Sequence, residues 1–105
     1  MTTRHTPAQR RRLVNEAIDN YKALAALNTR AAALTLEILS HPEATDEQVA
    51  AAARGLRDRL VRQREVYQSL LKAARTEGAD FPRIAYLERS PPEAVYSNAT
   101  RRQRM

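Results

Sequence analysis

Ser40-His41-Pro42-Glu43-Ala44-Thr45-Asp46-Glu47-Gln48 stops one helix and starts another. A proline disfavours the α conformation in the residue before it and has no amide hydrogen to donate, so a helix arriving from the N-terminal side ends close to Ser40. Thr45 with Gln48 three residues on is a capping box: the hydroxyl accepts from the Gln amide and the Gln side chain accepts from the Thr amide. The link between them, His41 to Thr45, has the length that joins antiparallel neighbours.

Working outward, the same box occurs at Thr6-Pro7-Ala8-Gln9 and at Ser90-Pro91-Pro92-Glu93. Proline just inside a helix start is favourable, because its fixed φ suits the helix and its missing donor is no loss. Gly78 stands where a left-handed C-terminal cap is wanted. These signals predict helices from Pro7 to Leu39 and from Asp46 to Glu77, each about 48 to 50 Å long. With two glycines, few aromatics and abundant Ala, Leu, Arg and Glu in 105 residues, the fold class is all-α. Residues 1–78 form a long antiparallel hairpin with a basic N-terminal arm. Residues 79–105 form a strap, with short helices near Pro82 to Arg89 and Pro91 to Thr100, and an arginine-rich tail.

Helix one carries a 4-3 spaced row at Leu13, Ala17, Asn20, Leu24, Leu27, Ala31, Leu34 and Ile38. Helix two carries one at Val49, Ala53, Leu56, Leu60, Gln63, Tyr67, Leu70 and Ala74. If these rows face each other, paired positions sum to 83 or 84, which sets Ala17 against Tyr67 and Asn20 against Gln63. Two facing amides satisfy each other and penalise slippage, so Asn20 and Gln63 are expected to lock the register. A second apolar row on helix one, Val14, Ile18, Tyr21, Ala25, Ala32 and Leu39 with Leu36 beside it, then needs cover from outside. A chain of this length buries only about 60 to 65 per cent of its unfolded surface, so a partner is expected. The simplest is a second copy, the two hairpins dimerising into a coiled-coil-like four-helix bundle.

The formal net charge is +6, which speaks to acidic partners rather than to fold. Arg4, Arg10, Arg11 and Arg12 open the chain without an acid, and Arg101, Arg102 and Arg104 close it likewise. Arg54, Arg57, Arg64, Lys72 and Arg75 mark the outward side of helix two. Glu37, Glu43, Asp46 and Glu47 cluster at the turn, and no Lys or Arg lies between Ala31 and Ala53. Folding the hairpin makes a dipolar rod, acidic at the turn and basic at the end that holds both termini. Acids at the start of helix two suit its dipole, whereas three arginines in the opening turns of helix one oppose theirs. That cost calls for a purpose, and phosphate contact with nucleic acid or docking to an acidic protein is the expected one.

Other functions find little footing. With no cysteine there is no disulfide, thiolate metal site or cysteine nucleophile, and the chain suits a reducing cytoplasm. No apolar run approaches the roughly 20 residues that cross a bilayer. His5 and His41 have no companion at metal-ligand spacing, Glu16 and Asp19 make only a lone acidic pair, and Gly55 and Gly78 form no phosphate loop. The expectation is a protein without enzymatic activity, cofactor, metal or small-molecule substrate. Its basic segments lack the interleaved aromatics that stack on unpaired bases, leaving a backbone-reading mode. The expected shape resembles the small dimeric helical hairpins that bind paired RNA loops in plasmid copy-number control, a likeness of architecture with no shared motif. The alternative is a structural or inhibitory subunit docking through helix one onto a larger assembly such as a virion.

Overall fold

A computed structural model describes residues 5–94 as three helices, α1 (Pro7–Ser40), α2 (Asp46–Glu77) and α3 (Phe81–Arg89), with no strand among those residues. Arg4, the tail arginines Arg101, Arg102 and Arg104, and the part of the expected last helix from residue 95 to Thr100 lie outside the described residues.

Each long helix begins and ends where its chemistry says. Thr6 Oγ1 accepts from the Gln9 amide at 3.1 Å and Gln9 Oε1 accepts from the Thr6 amide at 2.7 Å. Thr45 and Gln48 repeat this at 3.1 and 2.9 Å. At the end of α1, His41 leaves the helix at φ −75°, ψ 126°, and its ring Nδ1 accepts from the Glu43 amide at 3.1 Å, tightening the turn around Pro42. Gly78 ends α2 at φ 69°, ψ 50°, and its amide closes on the Ala74 carbonyl. A side chain at that φ would be strained by about 1 kcal/mol. The third expected box is not made as such: one helical turn starts at Pro92, and Glu93 pairs with Arg64.

α1 and α2 pack antiparallel, and α2 buries the side expected of it. Gln63 and Ala74 are buried, Val49, Leu56, Leu60, Tyr67 and Leu70 half-buried, and Ala53 is exposed. On α1 the expectation is overturned. The leucine row is exposed, with Leu13 at 47%, Leu24 at 39%, Leu27 at 63%, Leu34 at 56% and Ile38 at 45%. The row assigned to an outside partner is the inner one: Ile18, Tyr21, Ala25 and Ala32 are buried, and Val14, Leu36 and Leu39 half-buried. Asn20 and Ala17 are exposed, so neither the Asn20–Gln63 lock nor the Ala17–Tyr67 pair forms.

The physical reason lies in two polar residues. Positions 14, 18, 21, 25, 28, 32, 35 and 39 keep the same 4-3 spacing as the leucine row, displaced by one residue or about 100° around the helix. Asn28 and Thr35 disguise it as interrupted, yet both are satisfied. Asn28 Nδ2 donates to Gln63 Oε1, whose Nε2 donates to the Tyr21 hydroxyl at 3.3 Å. Thr35 Oγ1 donates to the Ala31 carbonyl at 2.9 Å and accepts from Arg59 at 3.1 Å. Buried polar groups with partners cost little, while Ala25 and Ala32 let α2 approach closely. Contacting pairs now sum to 88 for Tyr21–Tyr67 and 91 for Asn28–Gln63.

α3 explains why the Ile18 end of that row must face inward. It crosses the hairpin near its open end and completes one core of Ile18, Tyr21, Ala25, Ala74, Ala79 and Leu87, with Val14, Tyr67, Leu70, Leu71, Ile84 and Tyr86 around it. Ile18 and Leu87 have no exposed surface. Tyr21 and Tyr67 sit with ring centroids 6.1 Å apart, and the Tyr67 hydroxyl donates to the Leu87 carbonyl at 2.8 Å. α3 thus covers one face of the hairpin, and the opposite face stays open among the described residues.

Candidate interaction surfaces

Charged pairs hold α3 in place. Arg83 Nε and Nη2 reach the two carboxylate oxygens of Asp19 at 3.0 and 2.9 Å, and Nη1 reaches Asp80 at 2.7 Å. The Asp80 amide donates to Asn15 Oδ1 at 3.2 Å, and Lys22 Nζ lies 4.7 Å above the centre of the Tyr86 ring. Glu88 takes Arg75 at 3.3 Å, and Glu93 takes Arg64 at 2.6 Å. Glu16 and Asp19 therefore act as no pair; Asp19 belongs to the strap.

These contacts set a pH window. Hydrogen bonding from Arg83 holds the Asp19 carboxyl below its ordinary 3.8. Glu93 is held below 4.5 by its own backbone amide and then by Arg64. For both the unfolded chain binds protons more readily, so their stabilisation is complete above about pH 5 and lost as the pH falls through the folded values. Burial raises the Tyr21 and Tyr67 phenols above 10, and that contribution is present below pH 10 and lost above it. The urea midpoint is expected to be flat from about pH 5 to 9 and to drop on either side.

The basic residues do not form one patch. Within residues 5–94 stand 14 of the 18 Lys and Arg and all 12 acids, leaving +2 of the total +6 in the described body. Of those expected to contact an acidic partner, Arg64 and Arg75 are engaged by α3 and its continuation, and Arg10 lies 3.9 Å from Glu77. Arg11, Arg12, Arg54, Arg57 and Lys72 are exposed and make no ion pair among the described residues. Arg11 and Arg12 share the open end of the hairpin with Lys72. Arg54 and Arg57 lie nearer the acidic turn.

The larger feature is the open face. Leu34 and Ile38 of α1 and Ala51 and Ala52 of α2 line a groove bounded at the turn by His41, Glu43 and Ala44. Further along, Leu24 and Asn28 meet Arg59, Arg62, Gln63 and Val66, and Val66 continues to Leu70 and Ala73. The same face exposes Leu24, Leu34, Ile38 and Val66, with Asn28, Arg59, Arg62 and Gln63 between them at the middle of the hairpin. Val66, 45% exposed, and Arg62 were not legible as site residues, because on α2 the 4-3 row alone marks the inner side.

Among the described residues no group of three or more His, Cys, Asp or Glu is placed to hold a metal ion, and no helix is long and apolar enough to cross a membrane. The chain matches no protein-family model, no curated protein and no solved structure.

Proposed function

We propose that this chain is a small non-enzymatic helical protein that engages the phosphate backbone of nucleic acid through its arginine-rich ends, the hairpin serving as the scaffold that gathers them. The observation that carries this reading is the segregation of charge. The described body holds +2, and the remaining +4 belongs to the fifteen residues 1–4 and 95–105. α1 has no acid in its first turn, and Arg11 and Arg12 follow there without a partner against the helix dipole. Helix stability does not favour that arrangement, whereas a polyanion does.

Fluorescence anisotropy with a labelled duplex across a salt series tests it. Phosphate contacts require the logarithm of affinity to fall linearly with the logarithm of salt, by about 0.9 per contact for duplex DNA. Replacing Arg10, Arg11 and Arg12 together by Gln is expected to lower that slope by up to about 2.7. At a concentration where the chain is monomeric, the same variant should leave the urea midpoint nearly unchanged, because within one chain only an exposed ion pair at 3.9 Å is lost. Affinity indifferent to salt refutes the reading.

A second reading, a structural or inhibitory subunit of a larger assembly, is favoured by the exposed leucines of α1. The docking row is then Leu13, Leu24, Leu27, Leu34 and Ile38, not the buried row.

A further inference from the structure

We infer that the open face is covered by a second copy of this chain, laid antiparallel so that α1 packs along α1 of the partner. The inference does not rest on nucleic-acid binding, although it shares Arg10, Arg11 and Arg12 with that reading, and it starts from what the fold leaves unsatisfied. α3 covers one face of the hairpin; on the other, Leu27 and Leu34 keep 63% and 56% of their surface exposed and Val66 45%. Five exposed large apolar side chains spaced along one side of α1, Leu13, Leu24, Leu27, Leu34 and Ile38, are more than a monomer usually leaves in water.

The spacing selects the occupant. Positions 13, 17, 20, 24, 27, 31, 34 and 38 alternate steps of four and three, the heptad pattern of helix pairing. The series is the same read in either direction: pairs summing to 51 set Leu13 against Ile38, Ala17 against Leu34, and Leu24 against Leu27. A two-fold axis requires such a self-complementary surface, in which Ala17 meets Leu34 and Asn20 meets Ala31.

Charge selects the direction. In that register Arg10, Arg11 and Arg12 of one copy lie beside the turn of the other, where Glu37, Glu43 and Glu47 stand with no Lys or Arg from Ala31 to Ala53. Parallel stacking would set basic end on basic end and acidic turn on acidic turn. Asn20 would pair with its own copy in a parallel dimer, a single favourable contact against repulsion at both ends.

Light scattering on the full chain at about 50 μM is expected to give twice 11.9 kDa, falling toward the monomer on dilution. Leu27→Glu with Leu34→Glu should weaken dimerisation by at least about 100-fold. Because both side chains are exposed in the single hairpin, far-UV circular dichroism should still show a folded helical protein. Orientation is read with Leu13→Cys and Ile38→Cys in one chain, which has no other cysteine. The two positions lie about 37 Å apart on a continuous helix, so a disulfide between them joins two copies. Oxidation is expected to yield peptides linking position 13 to position 38. A mass of 11.9 kDa at every concentration, a dimer that survives the double Glu substitution, or disulfides joining 13 to 13 and 38 to 38 would overturn the inference.

Discussion

Ile18→Asp is expected to unfold the protein. Ile18 has no exposed surface and sits in the core shared by all three helices. The substitution removes roughly 3 kcal/mol of apolar transfer energy and sets a carboxylate among Tyr21, Ala74 and Leu87 with no basic side chain in that cluster. The combined cost exceeds about 5 kcal/mol, comparable to the whole stability of a domain this size. Circular dichroism at 25 °C should show loss of most helical signal, whereas Leu27→Asp, at a position 63% exposed, should retain it. Were Ile18 an outward docking residue, the outcomes would be reversed.

The second large effect lies in α3. Leu87→Ala deletes a fully buried side chain, and such truncations cost about 2.7 to 5 kcal/mol according to how far the site collapses. The remaining ties of α3 are the half-buried Ile84 and Tyr86, the Asp80 amide on Asn15, the Tyr67 hydroxyl on the Leu87 carbonyl, and exposed ion pairs each contributing under about 1 kcal/mol. They do not hold the strap alone. The variant should show a lowered urea midpoint and faster tryptic cleavage after Arg83, with α1 and α2 still helical. Phe81→Ala, at a residue 81% exposed, should change stability by no more than about 0.5 kcal/mol. Equal effects at the two positions would place α3 wrongly on the hairpin.

Helix ends were legible in the sequence because capping is local chemistry. Thr6 with Gln9, Thr45 with Gln48, Pro42 and Gly78 each act within a few residues, and the helices begin and end there. The inner side of α2 was legible too, since its 4-3 row has no rival of equal strength. The inner side of α1 was not. Two rows of the same period run side by side, and counting leucines favours the outer one. The inner row includes Asn28 and Thr35, whose partners Gln63 and Arg59 lie 35 and 24 residues away, beyond any local signal. The same limit hid the fate of Arg64 and Arg75, which read as outward charges until Glu93 and Glu88 are folded against them.

The rotation of α1 decides which residues are core and which are surface, and a double-mutant cycle tests it most directly. Asn28→Ala and Gln63→Ala, singly and together, should show a coupling of about 1 kcal/mol or more in urea unfolding, because each removes the partner of a part-buried amide. Asn20→Ala with Gln63→Ala should be additive within about 0.5 kcal/mol. Coupling of Gln63 to Asn20, with additivity at Asn28, would contradict this packing of α1 on α2.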